Sequence, residues 1–400
     1  MVTALVIILL APLLLINVVF VAETLSGLTR GPRQQWRQAA GRSVIIVPAH
    51  NEDRVIGRTL AALTLAAAGA DLDILVVADN CSDGTATTAR RFPVTVIERH
   101  DPVFRGKGHA LAFAREWLRR EPPSTVIVLD ADCHTDRPSL AALAGACEQL
   151  QRPAQAINLL EPSRSSGPLV QLSSFAFLLK NLVRQRGLQR LARSVHLTGT
   201  GMCLPWPLFD SADLATSSIV EDIRLGIELG NRGAHPRLIE ESIVWSPHAD
   251  QSDTLDQRSR WEGGFLALAR ATAPGLIARG VKRGSLRTII GGLDLMVPPL
   301  AILALVDAAA LVLLAALALA GVSSWVPLLI LAAIGFLAAA AVLLAWWQEG
   351  RAFLSAAALA RLPLYVLWKV PMYLRLARSG APKVWNRTER PNETDRKSVV

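Results

Sequence analysis

Two carboxylates, Asp130 and Asp132, close an apolar run in VIVLDADCH, residues 126–134. The Val/Ile-rich half predicts a strand buried in a sheet covered on both faces. On a strand, residues two apart point to the same side, so both carboxylates aim into one small volume. Like charges so placed repel unless a proton or a cation lies between them. The pair is therefore either a solvated strand end or an oxygen-ligand site. A hard cation such as Mg2+ or Mn2+ suits the second case and keeps positions open for phosphate oxygens.

Other clusters carry related chemistry, each beside a plainer alternative. In PAHNE, Pro48, Ala49, His50 and Glu52 lie between an apolar run and a helical stretch, where backbone amides and polar side chains can cradle a nucleotide. The plainer reading is a helix cap at Asn51. In ADNCSDGT, Asp79 ends the next apolar run and can accept a base N–H or ribose hydroxyl, or simply close an Asx turn. RGKGHAL sets Lys107 between two glycines, able to reach a base or phosphate, without the flanking pattern of a P-loop. Glu221 and Asp222 in SSIVEDIRLG suit a general base with a positioning partner, or an acidic helix start favoured by the macrodipole. In LDQRSRWEGG, Gln257, Arg260 and Trp261 stand at i, i+3 and i+4 on one helical face. Arginine there can neutralise a diphosphate and tryptophan can floor a sugar site. An amphipathic helix with a snorkelling arginine reads equally plainly. His248 in WSPHAD is a further metal ligand or a loop histidine.

Such scattered groups need a scaffold that gathers strand ends. From residue 43 to about 270, short β-rich runs alternate with helical ones: SVIIVPA, DLDILVVAD, PVTVIER and STVIVLDAD are separated by Ala/Leu-rich stretches. That alternation predicts an α/β sheet of parallel strands with right-handed crossovers. Ligands bind beyond the carboxyl ends of such strands, which is where PAHNE, ADNCSDGT and DADCH all fall.

The remaining chain is apolar. Residues 1–22 carry no charge and are long enough to cross a bilayer, and two further apolar blocks run at about 293–320 and 326–347. The first block lacks a basic n-region, and Arg30, Arg33, Arg37 and Arg42 follow it, which predicts an uncleaved anchor with the domain after it in the cytoplasm. Residues 352–374 are apolar but hold Arg361, Lys369, Pro363 and Pro371, which favours an interfacial helix over a third C-terminal crossing. The net charge of +9 gathers beside these segments, as anionic headgroups require, and no nucleic-acid motif accompanies it. Cys81, Cys133, Cys147 and Cys203 lack paired spacing and read as reduced thiols of a cytoplasmic domain. Asp294 and Asp307, at the second block, have no role in a simple anchor.

The order VPAHNE, VVADNCSDGT, GKGHAL, DAD, GTGMCLP, ED and QRSRW ahead of C-terminal spans closely resembles the membrane-bound family-2 glycosyltransferases. These are inverting enzymes related to cellulose, hyaluronan and chitin synthases. The resemblance covers about residues 43–270 and implies the GT-A fold with a nucleotide-sugar donor, UDP-linked by expectation. It implies nucleoside contact at Asp79, and metal–diphosphate binding at Asp130 and Asp132 with Mg2+ or Mn2+. It further implies Asp222 as base with Glu221 beside it, Gln257 and Arg260 near the diphosphate, and Trp261 with Gly199, Thr200 and Gly201 against the acceptor. The chain departs from the family in having Ala78 where an acid often precedes Asp79, Val220 before ED, and a smaller membrane part than processive synthases.

The expected organisation is a span at 1–25, a GT-A domain at 40–272, a basic membrane-proximal segment at 273–290, spans at 291–320 and 324–347, an interfacial helix at 351–376 and a basic tail at 377–400. The expected activity is sugar transfer to a lipid-linked saccharide or growing glycan at the bacterial inner membrane. A processive synthase that exports its polymer and a non-catalytic regulatory subunit are the alternatives.

Overall fold

The computed structural model describes residues 2–162, 166–216, 220–247 and 251–379, with backbone alone at 251–257 and 379. Helix α1 (Val2–Leu28) comes first. Strands β1 (Ser43–Ala49), β2 (Leu72–Asp79), β3 (Thr95–Arg99) and β4 (Thr125–Val128) then alternate with helices α2 (Asp53–Ala67), α3 (Thr85–Ala89) and α4 (Lys107–Leu118). The second half of the domain holds β5 (His134–Thr135), α5 (Arg137–Leu150), β6 (Ala154–Leu160), α6 (Pro168–Leu178), a π-helical turn at Leu179–Arg184 and α7 (Gln185–Ala192). It closes with β7 (Met202–Pro205), α8 (Trp206–Asp210), α9 (Glu221–Asn231) and β8 (Arg237–Ser246). Helices α10 (Gln251–Lys282), α11 (Leu286–Met296), α12 (Leu300–Leu319), α13 (Val326–Ala345), α14 (Ala356–Leu359) and α15 (Leu362–Ser379) complete the chain.

The eight strands form one mixed sheet in the order β3-β2-β1-β4-β7-β6-β8-β5. The first four pair in parallel, as the alternating pattern predicts. Strand β7 enters antiparallel between β4 and β6, a reversal that the all-parallel expectation missed. Side chains alternate across β1, so Ile45 and Val47 meet Ile56 and Leu60 of α2 on one face, and Val44 and Ile46 meet Leu111 of α4 on the other. Both faces are thus covered, and the continuous apolar strands follow from that.

Three helices among the described residues are long and apolar enough to cross a membrane: Val2–Leu28, Leu300–Leu319 and Val326–Gly350. α15 has a mean hydropathy below that of such spans and carries Lys369, buried, and the exposed Arg375. A second apolar core joins α1 and the later helices to the sheet domain through Phe20, Phe175, Leu178, Val183, Ile157 and Val342. Of the acids that a simple anchor left unexplained, Asp294 is buried in this joint and Asp307 is half-buried. Glu23 of α1 and Asp294 of α11 both accept from Arg184, each at 2.7 Å, and His196 bonds the other Asp294 oxygen. Asp307 of α12 accepts from Asn17 of α1 at 2.8 Å. Gly187 lets α7 lie directly on α1, since a Cβ there would stand 1.9 Å from the Glu23 carbonyl oxygen.

Candidate active site

The carboxyl ends of β1, β2 and β4 open onto one cavity, and the loops leaving them are tied together. Asn51 and Asn80 each adopt a left-handed backbone, φ 55° and 51°, which asparagine tolerates better than most residues. Ser82 N–H donates to Asn51 Oδ1 at 2.8 Å, His50 Nδ1 lies 2.7 Å from the Asp79 carbonyl, and Glu52 N–H donates to Thr85 Oγ1 at 2.7 Å. Asn51 therefore braces two loops instead of capping α2. Asp79 is buried, and its Oδ1 accepts from Arg99 at 2.6 Å and Asn80 at 3.1 Å.

The opening motif is built differently from a strand end. β4 stops at Val128, and residues 130–133 form a turn closed by Cys133 N–H on the Asp130 carbonyl at 3.1 Å. Asp130 and Asp132 converge through that turn, not through strand alternation. Ligand atoms of Asp130, Asp132 and Cys133 lie within 4.8 Å of one another. The two carboxylates fit a hard divalent cation. Cys133 does not: burial, reinforced by Asp132, pushes its thiol well above the usual range, and it bonds Ser246 Oγ at 3.2 Å. A buried protonated thiol is a poor ligand for Mg2+ or Mn2+.

Lys107 starts α4 and reaches across the cavity to Asp130, with a second bond to the Gly199 carbonyl at 2.7 Å. Burial works against its charge, but Asp130, then Glu221 and Asp222, outweigh this and hold the ammonium above its ordinary value. Glu221 and Asp222 begin α9, and Ile223 N–H fixes Asp222 Oδ1 at 2.8 Å. Burial, then the charge of Asp222, pushes Glu221 up to about 8. Burial also raises Asp222, but Ile223 N–H, Lys107 and Lys180 oppose the rise. Glu221 is thus largely protonated near neutral pH, whereas the groups around Asp222 work against its rise. Gly199, at φ +80°, passes under Asp222 so closely that a Cβ would lie 3.2 Å from its Oδ2.

Pro48, Ala49, His50, Glu52, Asp79 and Lys107 line this one cavity, of about 1390 Å3. Asp130, Asp132, Gly199, Thr200, Glu221 and Asp222 line it too, as do Arg260 and Trp261. Gly201 lies behind the wall, its position facing Val244 and Ala156. His248 and the Gln257 side chain lie outside the described residues. Reading the sequence missed Arg258, which is 7% exposed, bonded to Ser173 Oγ at 2.8 Å, and set 5.4 Å from the ring centres of both Phe177 and Trp261. Its place three residues before Trp261 was the available signal. Glu262 was missed as well; it binds Lys369 and accepts from Tyr373 Oη at 2.8 Å, holding α15 against α10.

The cavity does not end at the sheet domain. It continues past Phe175, Lys180 and Arg184 to Asn17, Asp307 and Phe336 in the spans. Asn17 lies six residues further into α1 than Glu23, about 9 Å along a helix.

Comparison with known proteins places these features in a family. The family described as Glycosyltransferase like family 2 matches residues 41–264. A probable glycosyltransferase, YdaM, of Bacillus subtilis (strain 168) is 23% identical over 232 residues, which span 55% of this chain and 54% of that protein. Mannosyltransferase PcManGT from Pyrobaculum calidifontis, solved with GDP-Man and Mn2+, has a TM-score of 0.54 at 17% identity, covering 92% of this chain and all of that one. Glucosyl-3-phosphoglycerate synthase from Mycobacterium tuberculosis, solved with Mn2+, UDP and phosphoglyceric acid, has a TM-score of 0.40 at 17% identity over 59% of this chain and 84% of that one. With the family matched over more than half its length, the chain belongs to glycosyltransferase family 2 and has the GT-A fold.

Proposed function

We propose that this transferase moves a sugar, with inversion, from a nucleotide-sugar to a lipid-borne acceptor at the cytoplasmic face of a bacterial inner membrane. The observation that carries the reading is the continuity of one cavity from Asp130 and Asp222 to Asn17 and Asp307. Its 1390 Å3 exceeds the roughly 300–1,000 Å3 of an ordinary ligand pocket. That leaves room for a donor in the aqueous part and an amphiphile whose chain lies among α12, α13 and α15. The basic cluster after α1 supports the cytoplasmic orientation.

In this reading Asp79 Oδ2, to which nothing donates among the described residues, accepts an N–H of the nucleoside base. Asp130 and Asp132 would hold Mg2+ or Mn2+, which supplies charge neutralisation to the leaving diphosphate. Lys107 and Arg260 add positive charge on the same side. Trp261, braced by Arg258 and Phe177, floors the acceptor. Asp222 takes the proton of the acceptor hydroxyl as that oxygen bonds to the anomeric carbon. The bond from that carbon to the diphosphate oxygen breaks, and its electron pair leaves with the nucleoside diphosphate. Attack opposite the leaving group inverts the anomeric centre.

The test fills the membrane half of the cavity. Ala338→Trp is expected to abolish transfer to lipid extracted from a bacterial membrane while leaving donor hydrolysis and nucleotide binding intact. Unchanged lipid labelling by that variant, or transfer to soluble saccharides alone, would overturn the reading.

A further inference from the structure

One charged group facing the cavity has no role in the chemistry above. Lys180 sits in the π-helical turn Leu179–Arg184, between the Asp222 end of the cavity and its membrane end. Such turns are often found at functional sites because the extra residue redirects side chains. Lys180 is open to the cavity, yet has no hydrogen-bond or ion-pair partner among the described residues. Its ammonium lies 4.8 Å from the centre of the Phe265 ring. The neighbouring cations of the wall are committed: Lys107 to Asp130, Arg184 to Glu23 and Asp294, Lys369 to Glu262. Arg258, bonded to Ser173, also lacks a carboxylate partner among the described residues. Lys180 is exposed to the cavity, so it needs no protein partner, but its position between Asp222 and the apolar helices leaves a positive charge free to meet an anion bound there. Burial lowers Lys180 below the ordinary lysine value although Asp222 acts against this, a cost that a bound anion would relieve.

Resting on the lipid-acceptor reading, we infer that Lys180 forms an anion subsite and that the acceptor is a phosphate-bearing lipid with its reactive hydroxyl in the same headgroup. The phosphate meets Lys180 while the hydroxyl meets Asp222, and the acyl part follows the cavity into the spans. A neutral lipid would leave Lys180 unpaired, and a phosphomonoester nucleophile would leave Asp222 without a proton to take.

The test uses the full chain in phosphate-free micelles of a polyoxyethylene detergent doped with either phosphatidylglycerol or diacylglycerol. A sugar-free readout comes first: amine-reactive labelling of Lys180, quantified by mass spectrometry. Phosphatidylglycerol is expected to protect Lys180 and diacylglycerol to leave it reactive; equal protection, or none, overturns the subsite. With labelled UDP-glucose or GDP-mannose and Mn2+, label is expected on phosphatidylglycerol. Lys180→Met then raises the acceptor KM about 10- to 100-fold, as loss of a charge-assisted bond does. Lys180→Arg retains binding, and nucleotide affinity does not change. Equal transfer to diacylglycerol overturns the anion requirement yet leaves the lipid acceptor standing, whereas transfer only to soluble acceptors sinks both. A lower kcat with a displaced pH profile and unchanged acceptor KM would make Lys180 merely the counter-ion of Asp222. Weakened nucleotide binding would assign it to the donor; either result overturns the proposal.

Discussion

Replacing Asp222 by asparagine removes the proposed base while keeping its shape. The amide oxygen still accepts from Ile223 N–H, now at 2.8 Å, and Lys107 keeps its bonds to Asp130 and Gly199, so the donor side stays in place. A positioned general base contributes about 10²- to 10⁴-fold, or roughly 3–5 kcal/mol of barrier. Glu221 is a poor substitute: burial, the first cause of its raised pKa, persists when Asp222 is gone and still favours its protonated form. Asp222→Asn is therefore expected to lower kcat at pH 7 by at least about 100-fold, with nucleotide affinity within about threefold. Glu221→Gln removes a group already mostly neutral and should cost no more than about tenfold. Loss of Asp222 also relieves the repulsion that raises Glu221, so residual activity in Asp222→Asn should disappear in the double variant. The assay is radiolabelled sugar transfer beside calorimetric titration of the nucleoside diphosphate. Transfer by Asp222→Asn within tenfold of the unaltered enzyme would refute the assignment.

Further outcomes follow from the same geometry. Glu221 binds its proton more tightly folded than unfolded. Its contribution to the stability of the metal-free protein should be full below about pH 4.5 and be lost as pH rises toward about 8. The loss is a few kcal/mol, reduced by water in the cavity, and thermal unfolding of Glu221→Gln should lack this component of the pH dependence. Gly199→Ala places a Cβ 3.2 Å from Asp222 Oδ2 in a left-handed backbone. About 1–2 kcal/mol of stability and at least about tenfold in kcat should go, by melting temperature and single-turnover rate. Arg184→Met leaves Glu23 and Asp294 buried without their shared cation and should cost about 3–5 kcal/mol of stability. A loss under about 1 kcal/mol in detergent would show that the cluster is solvated. Asp132→Ala should abolish Mn2+ binding followed by the cation's paramagnetic resonance, and unaltered binding would displace the metal from the 130–133 turn.

Much of the site was legible because its residues follow strands that the apolar runs identify without alignment: Ala49, Asp79 and Asp130 lie at or just beyond the ends of β1, β2 and β4. Period and turn chemistry are local, and local signals survive in a bare sequence. The antiparallel entry of β7 depends on pairing between residues 126 and 204, which no local period encodes. The ion pairs that hold the helices around the site were hidden for the same reason. Glu23 and Arg184 are 161 positions apart and Glu262 and Lys369 are 107 apart, so no local pattern links the partners. The DADC turn shows a subtler failure: convergence of the two acids was expected, but the strand stops two residues early and a hydrogen-bonded turn brings them together.

The joint between α1 and the sheet domain has a consequence for which acceptors are within reach. Arg184 holds the first span and α11 at once, and Gly187 lets α7 rest on α1 with no side chain between them. A sheet domain bolted to its own span cannot rise or dip against the bilayer as a tethered enzyme does. In the proposed membrane orientation Asp222 rides at one fixed height above the hydrocarbon boundary, and that height would work as a ruler. On the proposed lipid-acceptor reading, amphiphiles of equal chemistry would react when their nucleophile floats at that level, and those with longer or shorter stalks would pass by.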